Sequence, residues 1–538
     1  MAPKASMGKA FLSGNEALAR GAWQAGLKVA CAYPGTPSTE ILETLALFPE
    51  VDVQWSVNEK AAYEVAYGAA VGGVRALAAC KHVGLNVAMD PLMTSAYIGV
   101  NAGFVIVVCD DPQMHSSQNE QDTRWVGIYA KLPILEPSSP SEALAFVQEA
   151  FEISERFDTP VIIRMTTRVS HSKEDVVLGK RLQRPVKALQ KDMRKYVMVP
   201  GNARVRHEIL EKRIEKLKAL SERSRLNRIE LNKKSLGFIT DSVSYLYLKE
   251  VYPDASYLKL GFLYPFCDEK IKRFAKSVKR LMVVEELDPF IEEHVKSLGI
   301  RKVEGKHPSY RVGELDQNLI RSLVAGKPKK VKPRPGRAPR LCAGCPHWAI
   351  FSVLKKLDLF VAGDIGCYTL GALPPTSALH TCLCMGAGVT MPEGLRRAHP
   401  EGRIVGVIGD STFVHSGITG LINAAYNKSK GVIFILDNAT TAMTGGQPHP
   451  ATGQTIRNES TKRLDLKALC QACGADFVDV IDPHGNLKAL EELAGQRLNA
   501  DCRRRGRHAG AFEVADLDGV PGLPALAALP AGRVADPA

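Results

Sequence analysis

Short apolar runs alternate with longer stretches of small residues through the first part of the chain. VACAYPG (29–35), ALAACKHV (76–83) and FVIVVCDD (104–111) carry almost no charge. Strands buried on both faces read this way, because helices cover each side of the sheet they form. Between them NEKAAYEVAYGAAVGG (58–73) reads as a helix. The alternation predicts βαβ units and a parallel sheet with helices on both faces. The same signature returns later: RIVGVIGD (403–410), a helix over 415–427, then GVIFILDN (431–438).

The stretch between these two regions is different. Leu210, Ile214, Leu217 and Leu220 recur at helical spacing among Lys, Arg and Glu, which predicts an amphipathic connector exposed as a solvated linker helix. LGFITDS (236–242) and RLMVVEEL (280–287) predict strands of a smaller α/β unit. KPKKVKPRPGRAPR (327–340) holds seven basic residues and four prolines, and proline blocks both helix and sheet ladders. From about residue 495 no clear period remains, and Ala, Gly, Pro and Arg dominate. The boundaries are therefore an α/β domain at 1–195, a helical connector at 196–235, a small α/β domain at 236–326, a basic linker at 327–340, a second α/β domain at 341–494 and a poorly ordered tail at 495–538.

Composition narrows the class. Of 538 residues 45% are hydrophobic and 24% charged, an ordinary globular balance. No apolar run has the length of a membrane span, and the first residues lack the apolar core of a secretory signal. The expected location is the cytoplasm. The net charge of +13 raises nucleic-acid binding, but no basic stripe with interleaved aromatics supports it. The excess crowds into 179–234 and 327–340, and an anionic ligand or acidic electron carrier could use the rest. Twelve cysteines in such a chain argue for thiols over disulfides. Cys31, Cys80 and Cys109 lie in apolar runs and read as core.

Gly409-Asp410-Ser411 ends an apolar strand and opens a helix. Backbone N–H groups at such a turn face an anion, and glycine permits close approach. Asn438 ends the next strand, so in a parallel sheet it lies beside Asp410. A carboxylate and an amide oxygen there suit Mg²⁺ held against a diphosphate. Read alone, the turn is also compatible with an ordinary loop. Cys342-Ala-Gly-Cys345 and the distant Cys367 suit thiolate ligation of an iron–sulfur cluster or zinc. Cys470 and Cys473 form another CxxC, on a helical stretch where core packing is the better reading. Cys382 and Cys384 stay open between the two.

Taken in order, CAYPGTPSTEILETLA, NEKAAYEVAYGAA, KHVGLNVAMDPLM, SSQNEQDTR, VEELDPFIEE, LCAGCPH, GDIGCYTLG and GDSTFVHSGITGLINAAYN resemble the large subunit of the indolepyruvate ferredoxin oxidoreductases. The resemblance implies two thiamine-diphosphate-binding, doubly wound domains, pyrimidine-binding at 1–195 and diphosphate-binding at 341–494. A transketolase C-terminal-like domain at 236–326 lies between them. It makes Gly409, Asp410, Ser411 and Asn438 the cofactor motif, with the Thr440 carbonyl joining Asp410 and Asn438 on Mg²⁺. Ser411 stands where the family's motif has a last glycine, and Asp437 where many members have a first asparagine. It makes Glu59 the carboxyl group on the aminopyrimidine, although in isolation Glu59 also reads as a helix-dipole partner. Thr36 of YPGTPST is implied at the substrate's 2-oxoacid group, and Arg124 at a substrate anion. His82 reads as structural. Cys342, Cys345 and Cys367 become three ligands of a [4Fe-4S] cluster.

The implied reaction joins an aryl pyruvate to coenzyme A, releases CO₂ and passes electrons through iron–sulfur centres to ferredoxin. It requires a small (beta) subunit, so a hetero-oligomer is expected, with no nucleic acid and no membrane. The family's terminal ferredoxin-like module, with CxxCxxCxxxCP runs, has no counterpart here, and a fourth cluster ligand is missing or displaced. The tail's composition reads as a divergent or frame-shifted C-terminus. Two alternatives remain: a non-oxidative thiamine-diphosphate 2-oxoacid decarboxylase, and a truncated, inactive partner-binding subunit.

Overall fold

A computed structural model describes residues 8–327, 340–503 and 511–516, with side chains omitted at 499–503 and 511–516. The chain divides into two units, Met1–Gly336 and Arg337–Ala538.

The first unit is built on a seven-stranded sheet. Its strands run Phe262–Tyr264, Ile134–Leu135, Val161–Thr166, Phe104–Asp110, Ala76–Lys81, Val29–Ala32 and Asp52–Trp55 across the sheet. All neighbours are parallel except the edge strand Phe262–Tyr264. The three strands read from apolar runs are present, and the central ones are buried along their whole length. Cys31 and Cys80 belong to the core cluster, and Cys109 is buried as well. The predicted helix over 58–73 is Glu59–Val71. Asn58 caps it, its Oδ1 accepting from the Ala61 N–H at 2.8 Å.

A second, five-stranded sheet runs Val303–Glu304, Arg280–Val284, Lys233–Thr240, Ala255–Lys259, Arg228–Glu230. One expectation changes here. The small domain does not begin at 236, because its strand starts at Lys233 and Arg228–Glu230 already pairs with it through Ala255–Lys259. It is also not self-contained, since Phe262–Tyr264 closes the edge of the first sheet.

The connector helix Pro200–Arg223 is docked, which corrects the solvated-linker reading. Leu210 and Leu217 are buried, and two arginines explain why their face is not free. Arg206 donates to the carbonyls of Tyr97 (2.8 Å) and Ile98 (2.7 Å), and Arg213 to that of Ala96 (2.7 Å). They thereby satisfy the last carbonyls of the helix Met89–Ile98, with Asp158 binding both guanidinium groups.

The second unit carries a six-stranded, all-parallel sheet. Its order is Thr381–Cys382, Phe360–Gly363, Ile404–Gly409, Val432–Asp437, Ala511–Asp516, Phe477–Val480. Cys470 is buried against Ile408, Phe413 and Leu466, with Cys473 at the rim, as the core reading of that CxxC requires. The poorly ordered tail needs correction where it is described. The helix Leu487–Arg503 runs through residue 495, and Ala511–Asp516 is a strand paired on both sides. AFEVAD is too short to show a period outside its sheet. The basic linker lies almost wholly outside the described residues. No helix among the described residues is long and apolar enough to cross a membrane.

Candidate functional site

In the second unit the chemistry gathers at the carboxyl ends of adjacent parallel strands, where open α/β sheets bind ligands. Gly409 ends one strand and pairs in register with Leu436 of the next, so Asp410 and the Asp437-Asn438 turn emerge side by side. Asp410 is buried. Its Oδ1 accepts from the Ser411 N–H at 2.8 Å, and its Oδ2 lies 3.0 Å from His449 Nε2. Ser411 Oγ and Thr441 Oγ1 are 2.9 Å apart, which ties the turn to the loop carrying Asn438 and Thr440. Asp437 Oδ1 accepts from the Ala439 N–H at 3.0 Å and folds that loop back. From Asp410 the chain runs helically to Tyr426 through one wide turn, Phe413–Gly417. Wide turns of this kind recur at functional sites.

The cysteine loops sit against this turn. Gly409 lies on the Tyr368 ring, where an added Cβ would come within 2.5 Å of it. Thr412 Oγ1 and the Tyr368 hydroxyl both donate to the Ile365 carbonyl, at 3.0 and 2.7 Å. Asp364 fixes the loop from below, accepting from the N–H groups of Ile365 (2.7 Å), Gly386 (3.1 Å) and Gly388 (2.7 Å). Burial nevertheless raises its carboxyl to about 7. Burial also pushes the Cys367 thiol up to about 11, with Cys345, Cys342 and Asp410 adding to the effect, so all four groups share one electrostatic neighbourhood. Cys345 Sγ is 3.2 Å from His347 Nδ1, and burial holds His347 down at about 4, that is, neutral. Cys342 is exposed. Among the described residues no three His, Cys, Asp or Glu side chains are arranged to hold a metal ion.

In the first unit Glu59 opens its helix and is buried. Gly84 of KHVGLN lies directly on its carboxylate, since a Cβ there would stand 2.4 Å from Oε1. The Thr36 loop is linked to the same segment. Lys81 Nζ donates to Ser116 O (3.0 Å) and Oγ (3.3 Å), and Ser116 Oγ donates to the Thr36 carbonyl at 3.3 Å. His82 is buried, with Nε2 3.2 Å from the Asn119 carbonyl oxygen, and burial lowers its pKa.

Arg124 is not a substrate ligand. It is fully buried, and its guanidinium is spent on Asp122 (2.8 Å from Nε), Asp241 (3.0 Å), Glu285 (2.6 Å) and the carbonyls of Glu286 and Asp288. Arg164 extends the network to Asp110 and Glu136. The polar character of SSQNEQDTR pointed to a ligand loop, but its last arginine joins the two sheets. Arg124→Met is expected to cost about 3–5 kcal/mol, because it strands buried carboxylates. Thermal melting checks this. A changed KM at unchanged melting temperature would restore the substrate role.

The residues that sequence reasoning missed are His449, His347, Asp364 and Lys81. Lys81, His347 and Asp364 sit inside quoted motifs and His449 lies eleven residues past Asn438, but only the fold shows what each faces.

Two family profiles match. Residues 20–215 fit "Pyruvate flavodoxin/ferredoxin oxidoreductase, thiamine diP-bdg", and residues 364–499 fit "Thiamine pyrophosphate enzyme, C-terminal TPP binding domain". With the parallel sheets and the Asp410 turn, they define a thiamine-diphosphate-dependent 2-oxoacid oxidoreductase. Indolepyruvate oxidoreductase subunit IorA of Archaeoglobus fulgidus is 41% identical over 92% of this chain and 85% of its own length. That of Methanothermobacter thermautotrophicus is 40% identical over 91% and 84%. The chain belongs to the indolepyruvate oxidoreductase IorA family. The fold is also that of a 2-oxoglutarate:ferredoxin oxidoreductase from Magnetococcus marinus, at TM-score 0.52 and 15% identity over 59% of this chain and 65% of that one.

Proposed function

We propose that this chain, with a smaller partner subunit, converts an aryl pyruvate of the indolepyruvate type and coenzyme A into the aryl-acetyl-CoA and CO₂. The pair of electrons released passes to ferredoxin. The observation that carries the reading is the Asp410 turn set beside Asn438 at adjacent strand ends. Its donor set fits the cofactor. Asp410, the Asn438 amide and the Thr440 carbonyl offer hard oxygens suited to Mg²⁺, and the backbone N–H groups of the Ser411 turn would hold a diphosphate. His449 would orient the Asp410 carboxylate through its 3.0 Å contact. Glu59, held against Gly84, would exchange a proton with the aminopyrimidine. Thr36 would meet the 2-oxoacid group. Thiamine diphosphate, when bound, supplies the nucleophile and the electron sink.

The cysteines fit an iron–sulfur cluster less well. Cys342, Cys345 and Cys367 share a neighbourhood, but their side chains are not arranged, among the described residues, as a metal-holding group.

The test is activity of the two-subunit complex with indolepyruvate, coenzyme A and a dye acceptor, with iron quantified on the same sample. Acceptor reduction that depends on coenzyme A is expected. Aldehyde formed without acceptor reduction would make the chain a non-oxidative decarboxylase. Partner binding without any turnover would make it a scaffold.

A further inference from the structure

Lys81 is a buried cation at the carboxyl end of a central parallel strand, Ala76–Lys81, between two loops that rise from the same edge. One loop carries Gly35 and Thr36. An added Cβ on Gly35 would lie 3.2 Å from Lys81 Cβ. The other carries Ser116, which accepts from Nζ through both its carbonyl and its hydroxyl. An ammonium has three N–H donors, and one residue occupies two of them here. Among the described residues no carboxylate oxygen comes within ion-pair distance of Nζ, and Asp111 acts on it only from further off. Two other buried lysines of the same unit are better served: Lys259 has a carboxylate partner in Glu142 at 2.7 Å, and Lys270 donates to the carbonyls of two separate residues, Ser224 (3.0 Å) and Asn227 (2.9 Å). Among the described residues the Thr36 hydroxyl also has no hydrogen-bond partner, while its carbonyl is tied to Ser116.

Burying an ammonium without a counter-ion is costly, and such an arrangement persists where a ligand supplies the missing charge. A ligand received here must be an acceptor-only anion small enough to share the loop with Thr36. We propose that Lys81 binds the carboxylate of the 2-oxoacid substrate, with the Thr36 hydroxyl as the neighbouring donor. This rests on the function proposed above and adds to it the group that selects 2-oxoacids over uncharged carbonyl compounds. The charge state agrees. Burial lowers the Lys81 ammonium to about 8, against the opposing pull of Asp111, so it is charged at neutral pH. The other titratable neighbour is His82, which burial keeps neutral.

The test uses the complete two-subunit enzyme with phenylpyruvate. Lys81→Met keeps the stem and removes the charge. We expect KM for phenylpyruvate to rise at least tenfold, thiamine diphosphate affinity to stay within threefold, and Lys81→Arg to recover most of the loss. A second measurement needs no variant. In the wild type KM should be flat below pH 8 and climb above it as the ammonium is lost, and Lys81→Arg should abolish the climb. If the wild type turns over phenylpyruvate and Lys81→Met matches it in KM, this inference fails and the proposed function stands. Cofactor affinity falling in step with KM also overturns it, in favour of a structural role. A wild-type complex that oxidises no 2-oxoacid overturns both.

Discussion

Replacing Asp410 with alanine is expected to eliminate Mg²⁺-dependent thiamine diphosphate binding and to lower turnover by on the order of a thousandfold, about 4 kcal/mol. The magnitude follows from the donor set. Of Asp410, Asn438 and Thr440, only Asp410 brings a charge, and a small divalent cation that dehydrates reluctantly depends on it. The carboxylate is also preorganised, with one oxygen on the Ser411 N–H and the other on His449. His449→Ala should therefore produce a smaller loss of metal affinity, about 10–100-fold, because it frees the carboxylate without removing it. Cofactor titration at several Mg²⁺ concentrations separates the two variants. Asp410→Asn serves as the shape-preserving control, since a buried His449 left without its partner could also destabilise the turn. An unaltered Mg²⁺ requirement in Asp410→Asn would remove Asp410 from the metal site.

What the sequence made legible was whatever depends on local pattern. Uncharged runs are strands because only a doubly covered sheet hides them, and Gly409-Asp410-Ser411 is a strand-to-helix turn because its neighbours on each side have opposite periods. Asn438 falls beside Asp410 because successive strands of a βαβ unit are neighbours. Long-range pairing was not legible. Arg124 carries the same side chain whether it meets a substrate or Asp241 and Glu285, and those partners lie more than a hundred residues away. The role of Lys81 is not legible in the sequence for a related reason. KHVGLN looks like any strand end, and the meaning of its lysine depends on Ser116 and Gly35 standing on either side of it. The edge strand Phe262–Tyr264 was missed because it leaves its own sheet to complete another, which no local period encodes.

Glu59 is the second position where a large effect is expected. Its bland reading is a carboxylate complementing a helix dipole, a contribution of about 0.3–1 kcal/mol at an exposed helix end. Two observations weigh against that. The helix is already capped by Asn58, and Glu59 is only 7% exposed, with its carboxylate packed against Gly84 instead of standing in solvent at the helix end. The function proposed above assigns this buried carboxyl group to proton exchange with the aminopyrimidine. Glu59→Gln preserves shape and removes the exchangeable acid. It should lower kcat by about 10²–10⁴-fold while thiamine diphosphate affinity changes less than tenfold. Proton exchange at the cofactor's reactive carbon, followed by quenched NMR, should slow in parallel. Gly84→Ala supplies an independent approach, because its new Cβ would press to 2.4 Å from Glu59 Oε1 and displace the carboxylate without altering its chemistry. If both variants keep wild-type exchange rates, Glu59 is a helix-end residue and the proton comes from elsewhere. If Gly84→Ala slows exchange while Glu59→Gln does not, the position of the KHVGLN segment is what matters. Slowing in both, with the glutamine variant the worse, is the outcome that the contact between Glu59 and Gly84 requires.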